Sequence, residues 1–221
     1  MFGVECSRPG SYRSGMKFII ALVFAATLVA SFAAPMPLSN GKNFNGWIGD
    51  TNTTWRIVDG AFVGGSLTEK VPRNEFLRTD KQYTNFILKL KFKLAGTNGF
   101  VNGGVQIRSQ PAKNPTNEMV GYQCDLGEGY WGALYDESRR NKVLVKPDAA
   151  AVTKALKPGE WNEYLIRARG KLIEAAINGV KMFTYTEPDD TLPQYGFIGL
   201  QVHGNGMTEA SYKDITIQFL P

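Results

Sequence analysis

Alternation of apolar and polar positions is the strongest signal along this chain. Residues 86–94 (FILKLKFKL) carry Phe or Leu at every second position and Lys at three of the positions between. Successive side chains of a strand point to opposite faces, so this segment predicts a strand with one buried and one solvated face. Similar short runs recur at 55–59, 61–63, 104–108, 122–126, 161–169, 172–177, 180–185, 197–202 and 212–219.

Turn-forming pairs separate these runs. Asn178-Gly179, between 172–177 and 180–185, predicts a two-residue hairpin, and residues 149–156 predict at most one or two turns of helix. Ten or more short strands with almost no helix predict an all-β fold, an antiparallel jelly-roll β-sandwich. The other predicted turns are Asp59-Gly60, Asn98-Gly99, Asn102-Gly103, Pro158-Gly159 and Arg169-Gly170.

The N-terminal segment has the pattern of a secretory signal peptide. Residues 18–30 form an uncharged apolar run, short for a membrane span, with Lys17 directly before it. Ser31 and Ala33 are small residues suited to signal-peptidase cleavage after Ala33. The sequence therefore predicts a signal peptide over 1–33, one sandwich domain over 34–221, and a secreted or periplasmic protein with no membrane contact after cleavage. An uncleaved anchor is the alternative, and Met16 is a second candidate start.

Charge and composition narrow the classes of function. The chain carries 25 Lys and Arg against 20 Asp and Glu, a net charge of +5. This mild, scattered excess lacks the basic stripe with interleaved aromatics that nucleic-acid binding needs. The single His excludes a metal site that requires two imidazoles. Cys124 is the only thiol after residue 33, and its strand-like surroundings predict a buried small hydrophobe rather than a nucleophile.

Two strand-like segments carry candidate functional residues. In 102–108, alternation places Gln106 and Arg108 on one face, and the planar Arg fork suits a carboxylate or a sugar oxygen. A structural ion pair is the alternative for Arg108. Near the C-terminus, Gln201 and His203 share a strand face just before a Gly/Asn turn, which makes His203 a candidate catalytic or binding residue.

A third segment, 121–140, combines a strand with a loop rich in aromatic, acidic and Arg residues. Gln123 and Asp125 share one strand face. Aromatic platforms beside carboxylates and Arg are what carbohydrate sites use, because sugar C–H faces stack on rings while hydroxyls need polar partners. A solvated loop with a few ion pairs is the alternative. Asp125, Glu128 and Asp136 could supply oxygen ligands to Ca²⁺, although the sequence requires no metal or other cofactor.

Taken in order, these motifs resemble the bacterial 3-keto-disaccharide hydrolase family. The resemblance covers nearly all of residues 34–221 and implies a concanavalin-A-like fold, in agreement with the strand pattern. The chain has Gln123 where many members have Glu, and Gly103 where Ser is common. The segments that carry the resemblance are 38–47 (LSNGKNFNGW), 55–60 (WRIVDG), 102–108 (NGGVQIR), 121–125 (GYQCD), 131–135 (WGALY), 159–162 (GEWN), 177–179 (ING) and 199–204 (GLQVHG).

The resemblance implies cleavage of glycosides that are already oxidised to a ketone at C3 of the sugar. That ketone acidifies the C2 hydrogen, so a base removes it, the C1 substituent leaves by β-elimination, and water adds to the resulting glucal. On this hypothesis His203 or Asp125 is the base and Arg108 donates to the oxyanion. The expected substrate contacts are Gln106, Gln123, Glu128, Glu137, Arg139, Arg140 and Gln201, with Tyr130, Trp131 and Tyr135 as an aromatic platform.

Other functions stay open on the sequence alone. The same fold serves non-catalytic, lectin-like carbohydrate-binding modules. An ordinary glycosidase would need two carboxylates in the cleft, for which Asp125, Glu128 and Glu137 are the pool. A purely structural envelope protein is a third reading, against which the polar and aromatic loop argues.

Overall fold

A computed structural model describes residues 1–3 and 33–221. The predicted signal peptide therefore lies almost wholly outside the described residues. Within those ranges, no helix has the length and apolar character needed to cross a membrane. In 33–221 the strands are β1 (Met36–Pro37), β2 (Trp47–Ile48), β3 (Trp55–Val58), β4 (Ala61–Gly65), β5 (Glu75–Tyr83), β6 (Phe86–Gly99), β7 (Asn102–Pro111), β8 (Met119–Gly127), β9 (Leu134–Glu137), β10 (Lys142–Val145), β11 (Asn162–Arg169), β12 (Leu172–Ile177), β13 (Val180–Thr186), β14 (Gly196–Val202) and β15 (Gly206–Phe219), and one short helix, α1, spans Ala149–Ala155.

The strands form two antiparallel sheets, which confirms the predicted all-β sandwich. One sheet has eight strands in the order β13-β12-β11-β6-β15-β4-β3, with β1 also pairing with β15. The other has seven strands in the order β10-β9-β8-β7-β14-β5-β2. The second sheet matters most for function, because it places β14 beside the consecutive strands β7, β8 and β9, although β14 is distant from them in sequence.

The core lies between the two sheets and follows the predicted alternation. In β6, Phe86, Leu88 and Phe92 are buried while Lys89 and Lys91 are exposed on the outer face. From the opposite sheet, Tyr122, Cys124 and Leu126 belong to the same core. Cys124 is fully buried, as predicted, and burial raises the pKa of its thiol well above the ordinary range. Such a thiol is a packing group rather than a nucleophile.

The predicted Asn178-Gly179 hairpin is present and also supports the helix. Both residues have positive φ, 49° and 78°, the twist that suits a two-residue turn between β12 and β13. The Asn178 side-chain amide donates to the Ala155 carbonyl at 2.8 Å, and Asp148 caps the other end of α1 by accepting from the Ala150 N–H. This short helix is therefore tied at both ends.

Some elements differ from the sequence prediction. Strand β5 was not predicted, because Asp80, Lys81 and Gln82 are all exposed and interrupt its alternation. Strand β9 lies within the segment expected to be a loop, and β10, which follows that segment, was not predicted. The pair Asn102-Gly103, predicted as a turn, instead begins β7, and Asn102 is buried with 2% exposure.

Candidate active site

The outer face of the seven-stranded sheet brings the three polar segments together. Gln106 of β7 lies opposite Gln123 of β8, and Gln123 lies opposite Tyr135 of β9. On the other side of β7, Gly104 lies opposite Gln201 of β14. Four neighbouring strands thus present their polar positions to one face, while their apolar positions enter the core.

Two glycines make room on this face for two large side chains. A Cβ at Gly104 would lie 2.7 Å from Cδ of Gln123, and one at Gly199 would lie 2.6 Å from Sδ of Met119. Real Cβ atoms do not approach neighbours so closely, so any larger residue would displace these side chains. The glycines therefore let Gln123 and Met119 lie across the neighbouring strands.

A chain of hydrogen bonds runs beneath this face and ends at Asp125. The Ser109 hydroxyl donates to Gln106, the Gln106 amide donates to Gln123 Oε1 at 3.0 Å, and the Gln123 amide donates to Asp125 Oδ1 at 3.1 Å. The Asn102 amide donates to the same Asp125 oxygen at 3.4 Å. All five side chains are at most 3% exposed. Buried polar groups that are satisfied in this way hold one fixed arrangement.

The carboxyl groups here have raised pKa values. Burial raises the pKa of Asp125 to about 8, and the nearby Glu137 charge adds to this, while the amide of Gln123 opposes it. Burial also raises the pKa of Glu137 to about 7, with the Glu118 charge contributing. The pKa of Glu118 is likewise raised by burial. Asp125 is thus a neutral acid near pH 7, the environment-tuned state that acid catalysis uses.

His203 presents a basic nitrogen to the same region. Its Nδ1 lies 2.7 Å from the carbonyl oxygen of Gly204. Because a carbonyl can only accept, Nδ1 must carry the proton, and in the neutral ring the lone pair is then on Nε2. The ring packs edge-on against Phe100 at 4.6 Å between centroids, and its backbone N–H donates to the Asn102 carbonyl at 3.0 Å. The ring is therefore held in a single orientation.

These groups line a small polar cleft of about 110 Å³. Phe100 and Tyr130 meet edge to face at 6.1 Å and form an aromatic rim. The cleft combines a base, acidic carboxyls, amides and aromatic faces, which is the set of groups that sugar recognition and proton transfer use. Its lining residues are Phe100, Asn102, Gln123, Asp125, Tyr130, Tyr135, Glu137 and His203.

Arg108 lies elsewhere, which corrects its assignment as an oxyanion donor. It is six residues along β7 from Asn102, roughly 20 Å at the rise of a strand. Its guanidinium donates to the carbonyl oxygens of Thr84 and Gly170 and to the Asn85 side chain. Burial lowers its pKa to about 10. Arg108 ties together loops at the opposite end of its strand and does not line the cleft.

Arg139 and Arg140 also stand outside the cleft, in a buried ion-pair cluster. Both contact Asp136, which points to the core side of β9 and is fully buried. Arg140 also holds Glu187 through two hydrogen bonds of 2.8 and 3.1 Å, and Tyr122 donates to the same carboxylate at 2.7 Å. Burial would raise the pKa of Glu187, but these bonds outweigh it and lower the pKa to about 2. The two arginines are therefore structural here rather than sugar contacts.

The remaining predicted residues divide between two places. Gln106 and Gln201 are fully buried under the floor of the cleft, and the Gln201 amide makes no hydrogen bond to another described residue. It lies near enough to Glu137 to hold down the pKa of that carboxyl. Glu128 and Trp131 line a neighbouring groove.

The structure does not support the calcium arrangement. Asp125 lies in the cleft, Glu128 lines the groove and Asp136 is paired with two arginines, so the three carboxylates do not converge. Among residues 1–3 and 33–221, no cluster of three His, Cys, Asp or Glu side chains has an arrangement able to hold a metal ion.

Three residues of this region were not predicted from the sequence. Asn102 was treated as a turn residue, although it belongs to the motif 102–108. Phe100 and Glu118 belong to no motif, and only the folded sheet places Phe100 against His203 and the Glu118 charge near enough to raise the pKa of Glu137. An isolated aromatic or acidic residue gives no signal of this kind in one sequence.

The fold and the cleft together define a jelly-roll sandwich with a polar, acid- and base-bearing site on one sheet. The sequence matches the 3-keto-alpha-glucoside-1,2-lyase-like domain over residues 34–218, and the chain belongs to that family. This confirms the resemblance found in its motifs. Among curated proteins, none matches the sequence.

Solved structures share the architecture. Two proteins from Parabacteroides distasonis ATCC 8503, both provisionally named glycosyl hydrolases, match with TM-scores of 0.62 and 0.60. They are 20% and 25% identical, with 85% of this chain covered in each case and 94% and 100% of theirs. The carbohydrate-binding module CBM66 from Bacillus subtilis matches with a TM-score of 0.60 at 15% identity, over 78% of this chain and 95% of that one.

Proposed function

We propose that this protein acts on carbohydrates and cleaves 3-keto-glucosides by elimination across C1 and C2 followed by addition of water. The observation that carries the proposal is one cleft that holds the imidazole of His203 together with the Asp125 carboxyl group, which burial keeps protonated near pH 7. Elimination needs such a base and acid pair. Membership of the lyase-like family and the likeness to glycosyl hydrolase-like structures support this substrate class.

The first step is removal of the C2 hydrogen by Nε2 of His203. The electrons of the C2–H bond form an enolate that spans C2, C3 and the C3 oxygen. A neutral carboxylic acid can donate a hydrogen bond to such an oxygen, and Glu137 is suited to this because burial raises its pKa to about 7. Glu137 takes the role that the sequence assigned to Arg108.

The second step is departure of the C1 substituent. The enolate collapses, the C3 ketone re-forms, the C1=C2 double bond forms, and the C1–O bond breaks. Asp125 gives its proton to the departing oxygen. In the hydration that follows, the Asp125 carboxylate takes a proton from water as the water oxygen bonds to C1, and the His203 imidazolium returns a proton to C2. Both residues end in their starting states, and the net reaction is hydrolysis.

The proposal includes export of the domain. Cleavage after Ala33 would leave residues 34–221 outside the cytoplasm, in keeping with the family match that begins at residue 34. N-terminal sequencing of protein recovered from the culture medium or periplasm tests this point. A chain that keeps residues 1–33 would contradict it.

Turnover of matched substrates tests the reaction. The full-length chain is incubated with a 3-keto-glucoside and, separately, with its unoxidised parent, and release of the aglycone is followed. We expect release from the keto sugar alone. Release from both would indicate an ordinary glycosidase with paired carboxylates. Release from neither, together with binding to a glycan array, would indicate a carbohydrate-binding module.

A further inference from the structure

A second and larger depression, the apolar groove, lies beside the cleft. Its volume is about 670 Å³, within the range of roughly 300–1,000 Å³ typical of small-molecule sites. The loop that follows β8 forms one wall, and α1 with its flanking segments forms the other. Its lining is mainly apolar, with Trp131, Val152 and Leu156 beside Tyr130, and Glu128 and Lys146 are its charged members.

The lining of the groove suits an apolar ligand group. Trp131, Val152 and Leu156 are half-buried, pack against the core, and turn their remaining surface to the groove. A sugar hydroxyl placed against these side chains would lose its hydrogen bonds to water without gaining others, which is costly. A flat apolar ring would instead gain contact with the indole and the aliphatic side chains.

The walls of the groove are held in place by contacts within the chain. The Trp131 ring stacks on Phe92 of the core at 6.4 Å between centroids. Gly132 follows with φ of 69°, and a Cβ there would lie 2.7 Å from Sδ of Met182, so only glycine fits this turn. The opposite wall is α1, whose last turn is fixed by the hydrogen bond from Asn178 to the Ala155 carbonyl. The groove is therefore formed before any ligand binds.

Tyr130 connects the groove to the cleft, because its side chain lines both. Its ring is held between Phe100, at 6.1 Å, and the Lys146 ammonium, which lies 5.5 Å from the ring centre. A molecule with a polar half in the cleft and an apolar half in the groove would pass across Tyr130. A glycoside has this shape when its aglycone is apolar.

We infer that the apolar groove binds the aglycone, and that the preferred substrates carry an aromatic or similarly flat apolar aglycone rather than a second sugar. This inference rests on the proposed function. In that reaction the keto sugar lies in the cleft, and the group attached to C1 extends out of the cleft toward the groove. The polar cleft recognises the keto sugar, and the groove selects what is attached to it.

Thr153 and Lys154 provide a matched pair of variants to test the groove. Both are exposed on α1, but only Thr153 lines the groove. The full-length chain and its Thr153→Trp and Lys154→Trp variants are assayed with the 3-keto derivatives of phenyl glucoside and methyl glucoside of one anomer. We expect Thr153→Trp to lower kcat/KM tenfold or more for the phenyl substrate and less than twofold for the methyl substrate, and Lys154→Trp to change neither. Equal effects on both substrates, or none, would overturn the inference.

Binding measurements separate failure of the groove from failure of the reaction. If the wild-type chain releases neither aglycone, the proposed function fails, and the groove is then judged by calorimetric binding of phenyl and methyl glucoside. Tighter binding of the phenyl compound, lost in Thr153→Trp and kept in Lys154→Trp, would support the groove. Equal or absent binding would overturn it. Thr153→Glu, which places a charge in the groove, repeats the test if Thr153→Trp does not fold.

Discussion

The Gln123 side chain connects Gln106 to Asp125 through two hydrogen bonds. Its amide accepts a hydrogen bond from Gln106 through oxygen and donates one to Asp125 through nitrogen. A carboxylate could accept the first bond but could not donate the second. An amide at position 123 therefore fits a site where Asp125 is the acid and its neighbour orients it.

The acid role of Asp125 predicts a falling limb in the pH profile. Since burial raises its pKa to about 8, the carboxyl is protonated below pH 8 and loses its proton above it. We expect kcat/KM for a 3-keto-glucoside to fall as the pH rises through about 7 to 8, because Glu137 and then Asp125 lose their protons. In the Asp125→Asn variant, which has no acidic proton at this position, kcat/KM should drop about 100-fold or more, and the part of the limb near pH 8 should disappear. Rates measured from pH 5 to 10 check both points. An unchanged limb in Asp125→Asn would assign it to another group.

At the scale of elements, the ion-pair cluster joins the hairpin of β9 and β10 to the end of β13. Arg140 pairs with both Asp136 and Glu187, and the side chains of these two acids are 0% and 4% exposed. Breaking a buried pair by removing one partner is destabilising, because it leaves a charge without compensation. The cluster therefore holds the edge of one sheet against the end of a strand in the other.

Replacing Arg140 should affect stability and spare catalysis. Arg140→Met leaves Glu187 without its cation, and because Arg140 is 25% exposed we expect a loss of about 2–3 kcal/mol in the free energy of unfolding. The loss should be full above pH 4.5 and shrink as the pH falls toward 2, because the lowered pKa of Glu187 stabilises the fold only while its carboxylate is charged. Urea unfolding at several pH values measures it.

A surface pair provides the control for this prediction. Arg167 and Glu174 are 39% and 30% exposed, so Arg167→Met should cost about 1 kcal/mol or less. At a temperature where both variants are folded, kcat/KM should stay within twofold of the wild type. A tenfold loss of activity in Arg140→Met at unchanged stability would indicate that Arg140 contacts the sugar.

The elements that the sequence predicted well are those with strict alternation or a turn of fixed chemistry. Strand β6 and the Asn178-Gly179 hairpin are examples, because local sterics alone decide them. Strand β9 was missed since its outward Tyr135 and Glu137 look like loop residues, and its inward Asp136 breaks the expected apolar face. A buried charge becomes intelligible only when its partners, here Arg139 and Arg140 in the following turn, are known.

At the scale of the whole molecule, the site depends on strand order, which pattern does not reveal. Alternation gave the correct faces of Gln106, Gln123 and His203, but only the order β14-β7-β8-β9 places them together. A local irregularity within β7 explains the misplacement of Arg108. It was grouped with Gln106 by alternation, whereas its positive φ of 49° breaks that alternation and turns it toward the opposite end.

Burial of a protonated acid should make the stability of the whole molecule depend on pH. The pKa of Asp125 rises from 3.8 in the unfolded chain to about 8 in the fold, so between these values the folded state binds more protons. The free energy of unfolding should therefore decrease as the pH rises from about 4 to 8, by at most about 1.4 kcal/mol per pH unit from this group. Asp125→Asn should remove that contribution, so the difference between variant and wild type should grow toward pH 8. A constant difference would contradict the raised pKa.

In the proposed mechanism, the glycosidic bond breaks only after a proton leaves C2. This order is tested by the isotope effect on kcat/KM when the C2 hydrogen of a 3-keto-glucoside is replaced by deuterium, with both substrates competing in one reaction of the full-length chain. We expect a normal primary effect on aglycone release and a loss of most activity in His203→Ala. Equal rates for the two isotopologues, with His203→Ala fully active, would mean that the bond breaks without proton removal and would contradict the mechanism.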